Sequence, residues 1–361
     1  MRSPWLLALL ATLVASLLLL EVAKAPIEKA AAQQMRDASA RAQAAFDELK
    51  AERLRRGLPV NTVDDPNDTG MIGDLYTSIT TTLGSLESKR STTNPNLAAA
   101  VVDMFETLGL ERGDRVAVNL SGSFPCANIA VLCALDAMGL EGVAISSIGA
   151  STYGANLPAF TYLDMEAHLA AEGLIAHRSV AFSMGGEGDL GLEMPEPLRE
   201  EIRARLTGLG YESLAYADLS ENIEDRLRRF SEGGAIRCFV NVGGNLTSFG
   251  NDNGMTSIPG GILTALPAGL QGNGLVQRYL REGVPVLHLL NMKGLLADYN
   301  LPYDPVPLPA VGEGGVYWRE GHRFWVVAVV CVIDSAAVIA ALVLGRKGHD
   351  KRRNTNKGST H

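Results

Sequence analysis

Cysteine is scarce in this chain, four in 361 residues, and no two stand as CxxC or at a metal-ligand spacing. Cys331 lies in a long apolar run, while Cys126 and Cys133 are seven apart on one helical stretch, about two turns and too far for a bridge. Only Cys238 is left to pair with either, and the thiols read as small buried hydrophobes. GxSxG and SxxK are both missing, which removes two common frames for a nucleophilic serine. Outside the C-terminus acidic residues outnumber basic ones. The net charge is −8 although the tail holds Arg346, Lys347, Lys351, Arg352, Arg353 and Lys357 against Asp350 alone, so the remainder is clearly acidic. Nucleic acid is excluded as a partner, because its binding needs clustered Lys and Arg to displace counterions.

Long apolar runs stand at both ends. Residues 4–23 are about one bilayer thickness of nearly uncharged helix, and residues 324–345 are of similar length with one acid, Asp334. Ala23-Lys24-Ala25 fits a signal-peptidase site, but Pro26 follows and the run is long for a cleaved leader, so a retained anchor is expected. Lys and Arg beside a span tend to stay in the cytoplasm. The basic tail, residues 346–361, and Arg2 in residues 1–3 therefore place both termini inside, outweighing Lys24, Arg319 and Arg323 on the opposite flanks. Trp5, Trp318 and Trp325 fall near span ends, where indole is comfortable. An ionised Asp334 mid-span costs about 2.5 to 3.5 kcal/mol, so it needs an intramembrane contact, with another subunit as the simplest source and the first span as the next.

Between the spans, residues 25–57 read as a juxtamembrane helix with Met35, Ala38, Ala42, Phe46 and Leu49 at helical spacing, and residues 58–70 as a linker of turn composition. The domain proper is expected over residues 71–315. Its opening Ser/Thr-rich stretch, residues 77–93, reads as a loop or frayed helix over the core. From Asn94 onward, strands at Arg115, Gly142, Arg178, Ile236 and Val284 alternate with helices. That alternation predicts a layered, Rossmann-like α/β domain, mostly parallel and covered on both faces. Ligands of such sheets bind where loops diverge at the carboxyl ends of the strands.

Three loops carry the polar candidates. Ser121, Gly122 and Ser123 precede a helix containing Asn128, where backbone N–H groups are placed to meet an anion. Ser146, Ser147, Ser151 and Asn156 crowd the next strand end, and Asn241, Gly243, Gly244 and Asn245 a third. The third echoes the first, so the two are expected to face one crevice. Gly186 to Gly191 matches GxGxxG, but its two carboxylates would repel a pyrophosphate. No cofactor is expected; a divalent cation held by Glu187 and Asp189 is the alternative reading of that loop.

Three stretches, Leu75 to Phe105, Gly113 to Leu132 and Ala144 to Glu166, together resemble the bacterial poly-gamma-glutamate system protein family, with Asn241-Val242-Gly243-Gly244 a looser match. The resemblance implies a membrane protein working beside the ligase and membrane subunits that make and export the polymer. It carries over no catalytic residue. The expected function is an accessory subunit whose external domain binds the polymer, another small anionic ligand, or a partner. A membrane-anchored hydrolase or transferase and a tethered small-ligand sensor are the alternatives.

Overall fold

The computed structural model describes residues 4–250, 258–268 and 270–357, with side chains as far as residue 347. Arg2 and the side chains of Lys351, Arg352, Arg353 and Lys357 lie outside that description. The chain divides into two compact units, Ala30–Tyr317 and the two ends, Met1–Lys29 with Trp318–His361.

In the smaller unit, helices Pro4–Val22 and Phe324–Lys357 are both long and apolar enough to cross a membrane. They pack side by side, and a two-stranded antiparallel ribbon, Lys24–Glu28 against Trp318–His322, joins them. Asp334 finds its partner within the chain: the Ser16 hydroxyl donates to Oδ1 at 2.7 Å. Of the two partners expected for this acid, the structure places the first apolar helix beside it, because the ribbon fixes both helices in register.

The larger unit is mixed α/β around a seven-stranded sheet. Its strands are β1 (Arg115–Ser121), β2 (Glu141–Ser147), β3 (Ser179–Ser183), β4 (Glu212–Ser213), β5 (Cys238–Val242), β6 (Gly261–Leu263) and β7 (Val286–Leu289). They lie in the order β6-β7-β5-β1-β2-β3-β4, parallel except for β6. The chain thus starts at the centre, winds outward through β2, β3 and β4, then crosses back to place β5 on the other side of β1. Loops leaving β1 and β5 therefore diverge at a reversal of strand order.

Strand alternation divides the core in two. Val116, Val118 and Leu120 of β1 face one cluster, and Ala117 between them faces the other. The first cluster is covered by helices α1 (Ala32–Arg55), α3 (Leu97–Thr107), α4 (Pro125–Met138), α5 (Tyr162–Ala171) and α6 (Glu196–Gly208). The second is covered by α7 (Leu219–Ser231) and α8 (Leu275–Arg281). Helix α2 (Leu86–Thr92) lies in the entry segment.

Here the sequence reading needs correction. Of residues 25–57, expected as one juxtamembrane helix, the first few form a strand, and α1 buries Met35, Ala38, Ala42, Ala45, Phe46 and Leu49 in the first core cluster. The stripe of alanines lets α1 approach α3 and α4 closely, so the larger unit begins at Ala30 rather than Met71. Truncating Phe46 to Ala would cost about 3 to 5 kcal/mol. Likewise residues 77–93 are ordered, as a short strand Thr80–Thr82 paired to Ala150–Ser151 and the helix α2, capped where Ser85 Oγ accepts from Ser88 N at 3.1 Å.

Candidate functional site

The loops after β1 and β5 meet, as their position predicts. A Cβ on Gly243, which has φ +84°, would lie 2.9 Å from Ser121 Cβ, so only glycine allows this approach. Ser147 at the tip of β2 donates to Asn245 Oδ1 at 2.6 Å, and Asn245 Nδ2 donates to the Leu120 carbonyl at 3.3 Å. Ser121, Gly122, Ser123, Ser147, Ser151, Gly243 and Asn245 are thereby gathered at the carboxyl ends of β1, β2 and β5, with Gly244 exposed beside them.

Three of the backbone donors expected to meet an anion are already spent. Gly122 N donates to the Ser147 carbonyl at 2.9 Å, Ser123 N to Ser121 Oγ at 3.1 Å and Phe124 N to the Ser121 carbonyl at 3.3 Å. Close packing is the reason: a Cβ on Gly122 would come within 2.5 Å of the Ile148 carbonyl oxygen. Asn128 and Asn156 are braces. Asn128 Nδ2 donates to the Ser121 carbonyl at 2.8 Å, while Asn156 accepts from Asp74 N and donates to the Asp74 carbonyl and Thr80. Ser146 points away from the loops and shares a hydrogen bond of 2.7 Å with Ser179.

Of the two carboxylates read as a possible cation site, Glu187 and Asp189, the second is engaged within the protein. Asp189 is buried and accepts from Ser183 Oγ (2.8 Å), Asn222 Nδ2 (2.8 Å) and Arg226 (2.9 Å). Glu187 lends its backbone N–H to the Glu193 carboxylate. Both oxygens of Asp189 are therefore committed, and no group of three or more metal-ligating side chains exists among the described residues.

Arg226, whose place late in α7 suits a helix dipole, is instead fully buried. It also donates to Asn222 (3.0 Å), Asn119 (2.8 Å) and Ser183 (2.8 Å). Asn119 donates in turn to Ser248 (2.7 Å), Ser248 to Asn241, and Asn241 to His288 Nδ1 (3.1 Å). Asn241 thus belongs to a polar layer on the second face, directly beneath the loops. Burial pushes the His288 imidazole down to about 4, so it adds no charge to this layer at neutral pH beside the Arg226–Asp189 ion pair.

Lys89 was invisible in the sequence. Placed on α2, it is 2% exposed, and its Nζ lies 3.4 Å from the centroid of the Phe124 ring at the start of α4. No carboxylate and no hydrogen-bond acceptor pairs with it among the described residues. Burial pushes its pKa down to about 7. Ser151 Oγ, close to Lys89, and Asn128 Oδ1 are buried polar atoms without a partner. The only earlier signal was a lone lysine within a Ser/Thr-rich stretch that also forms a strand beside Ser151. Set against protein-family models, curated proteins and solved structures, the chain matches none of them.

Proposed function

We propose that this chain is an accessory membrane subunit of a poly-gamma-glutamate synthesis and export system, its Rossmann-like domain outside the membrane and both termini in the cytoplasm. The domain binds the polymer or another anionic ligand at the crevice formed by the loops after β1, β2 and β5, and the spans dock beside the ligase and membrane subunits. One observation carries the reading: the three stretches that resemble the family each send a residue to the same place, Lys89 from the first, Phe124 from the second and Ser151 from the third. An acidic domain repels a polyanion, and a buried cation at the crevice removes that difficulty locally. Support for the membrane assignment is the pair of apolar helices and the basic tail.

The test is co-purification of the full chain with the ligase and membrane subunits, together with incubation of the full chain with poly-gamma-glutamate while chain length is followed. Recovery of those subunits with unchanged chain length supports the accessory reading. Shortening favours the hydrolase, for which the juxtaposition of Lys89 and an unpartnered serine hydroxyl is the specific argument. Failure to recover any subunit, with saturable binding of a small anion, favours a tethered sensor.

A further inference from the structure

Buried lysine is rare, and where it occurs a carboxylate or a set of carbonyls normally receives the charge. Lys89 has neither among the described residues. A hydroxyl with the same deficit lies beside it. The position that a Cβ on Gly84 would take is 2.7 Å from Ser151 Oγ and 3.3 Å from Lys89 Cε, so those two atoms are no more than 6.0 Å apart. Gly84 is held in place by Thr152, whose Oγ1 accepts from Gly84 N at 2.8 Å and donates to the Gly84 carbonyl at 2.9 Å. A side chain at position 84 would collide with Ser151 Oγ, so glycine is what lets this segment lie against both side chains. Ser151 is fixed from the other side, its N–H donating to Ser123 Oγ at 3.0 Å.

We propose that Lys89 and Ser151 form the recognition point for one carboxylate of a bound ligand, Lys89 Nζ supplying the charge and a hydrogen bond and Ser151 Oγ a second hydrogen bond to the other oxygen. One ammonium balances one negative charge, so a monoanion fits and a dianionic sulfate would leave charge buried without compensation. Two donors match the two oxygens of a carboxylate. The pair is one residue layer below the surface: Gly84 abuts both side chains, and its neighbours Leu83 and Ser85 are exposed. A depressed lysine pKa agrees with a site that waits for its counter-charge. The identity of the ligand as γ-linked polyglutamate rests on the function proposed above; the carboxylate chemistry does not.

The experiment is titration calorimetry on the full chain in detergent micelles at pH 6.5, with glutarate and a short γ-linked glutamate oligomer as probes and inorganic sulfate, a dianion at this pH, as the competing anion. Both carboxylates are expected to bind, Lys89→Met to weaken them by about 10-fold or more, and Ser151→Ala by about 5-fold, with sulfate bound at least 10-fold more weakly than glutarate. Ser151→Ala removes one atom from a folded loop, so it reports even if the lysine variant rearranges. The proposal is overturned if neither carboxylate binds the wild type, if Lys89→Met binds them as well as the wild type does, or if sulfate binds as tightly as glutarate. Glutarate binding through Lys89 in a chain that recovers no ligase subunit would sink the pathway and leave this site standing.

Discussion

Replacing Lys89 by methionine keeps the volume and removes the charge, and it is expected to make the protein more stable. The native pKa of about 7 stands against an ordinary 10.5. A gap of roughly 3.5 units corresponds to about 5 kcal/mol of destabilisation when both states are charged. The sign follows from proton counting. Between pH 7 and 10.5 the unfolded chain binds more protons at this position than the folded one, so stability rises with pH across that window, and the penalty is complete below pH 7. From pH 6 to pH 9 the wild type should recover about 2.5 kcal/mol from this group. At pH 6 the variant forgoes the penalty but also the contact with the Phe124 ring, about 1 to 2 kcal/mol when desolvated, leaving a net gain of about 3 kcal/mol. Urea unfolding of both proteins in micelles at pH 6 and pH 9, followed by circular dichroism, measures the two differences. A variant no more stable than the wild type at pH 6, or an advantage identical at both pH values, would refute the reasoning.

Other outcomes follow from the same geometry. Asp189→Asn leaves Arg226 buried without its counter-charge and should cost about 3 to 5 kcal/mol in the same unfolding assay, whereas the exposed Arg228→Ala should cost under about 1. His288 is held neutral, its native pKa of about 4 lying below the ordinary 6.5, so stability should fall by up to about 3 kcal/mol as pH drops from 6.5 to 4. His288→Gln should flatten that acid limb. Gly243→Ala forces a Cβ into Ser121 at a positive φ and should both destabilise the protein and open the crevice, read as a lower melting temperature with weaker anion binding. Ser16→Ala should cost only about 0.6 to 1.7 kcal/mol in micelles, because hydrogen bonds between apolar helices are modest and the strand ribbon holds the pair regardless.

Much of the architecture was legible. Short apolar runs such as Arg115–Ser121 and Glu141–Ser147, alternating with helices along the chain, mark the buried strands of a parallel sheet. The small-residue loops after β1 and β5 were legible as neighbours because parallel strands place their carboxyl ends together. What escaped was the edge strand Glu212–Ser213, too short to show a period, and the antiparallel Gly261–Leu263, whose place depends on pairing with β7. The stripe on α1 was legible as helical but its place in the core was not, because periodicity reports that a face is apolar without naming what covers it.

The sequence by itself determined the two apolar ends, the α/β alternation and the polar loops, since each is written in spacing along the chain. Tertiary structure alone decided what the charges do. Three cations look alike in sequence, yet Arg228 is a solvated helix-end charge, Arg226 a buried strut against Asp189, and Lys89 a buried ammonium with no counter-charge among the described residues. The physical reason is that the energy of a charge depends on the solvent it loses and the partners it meets, and those are supplied by residues tens to more than a hundred positions away. The loop N–H groups obey the same logic: their spacing suited an anion, and only the folded structure showed that those of Gly122, Ser123 and Phe124 had already been satisfied.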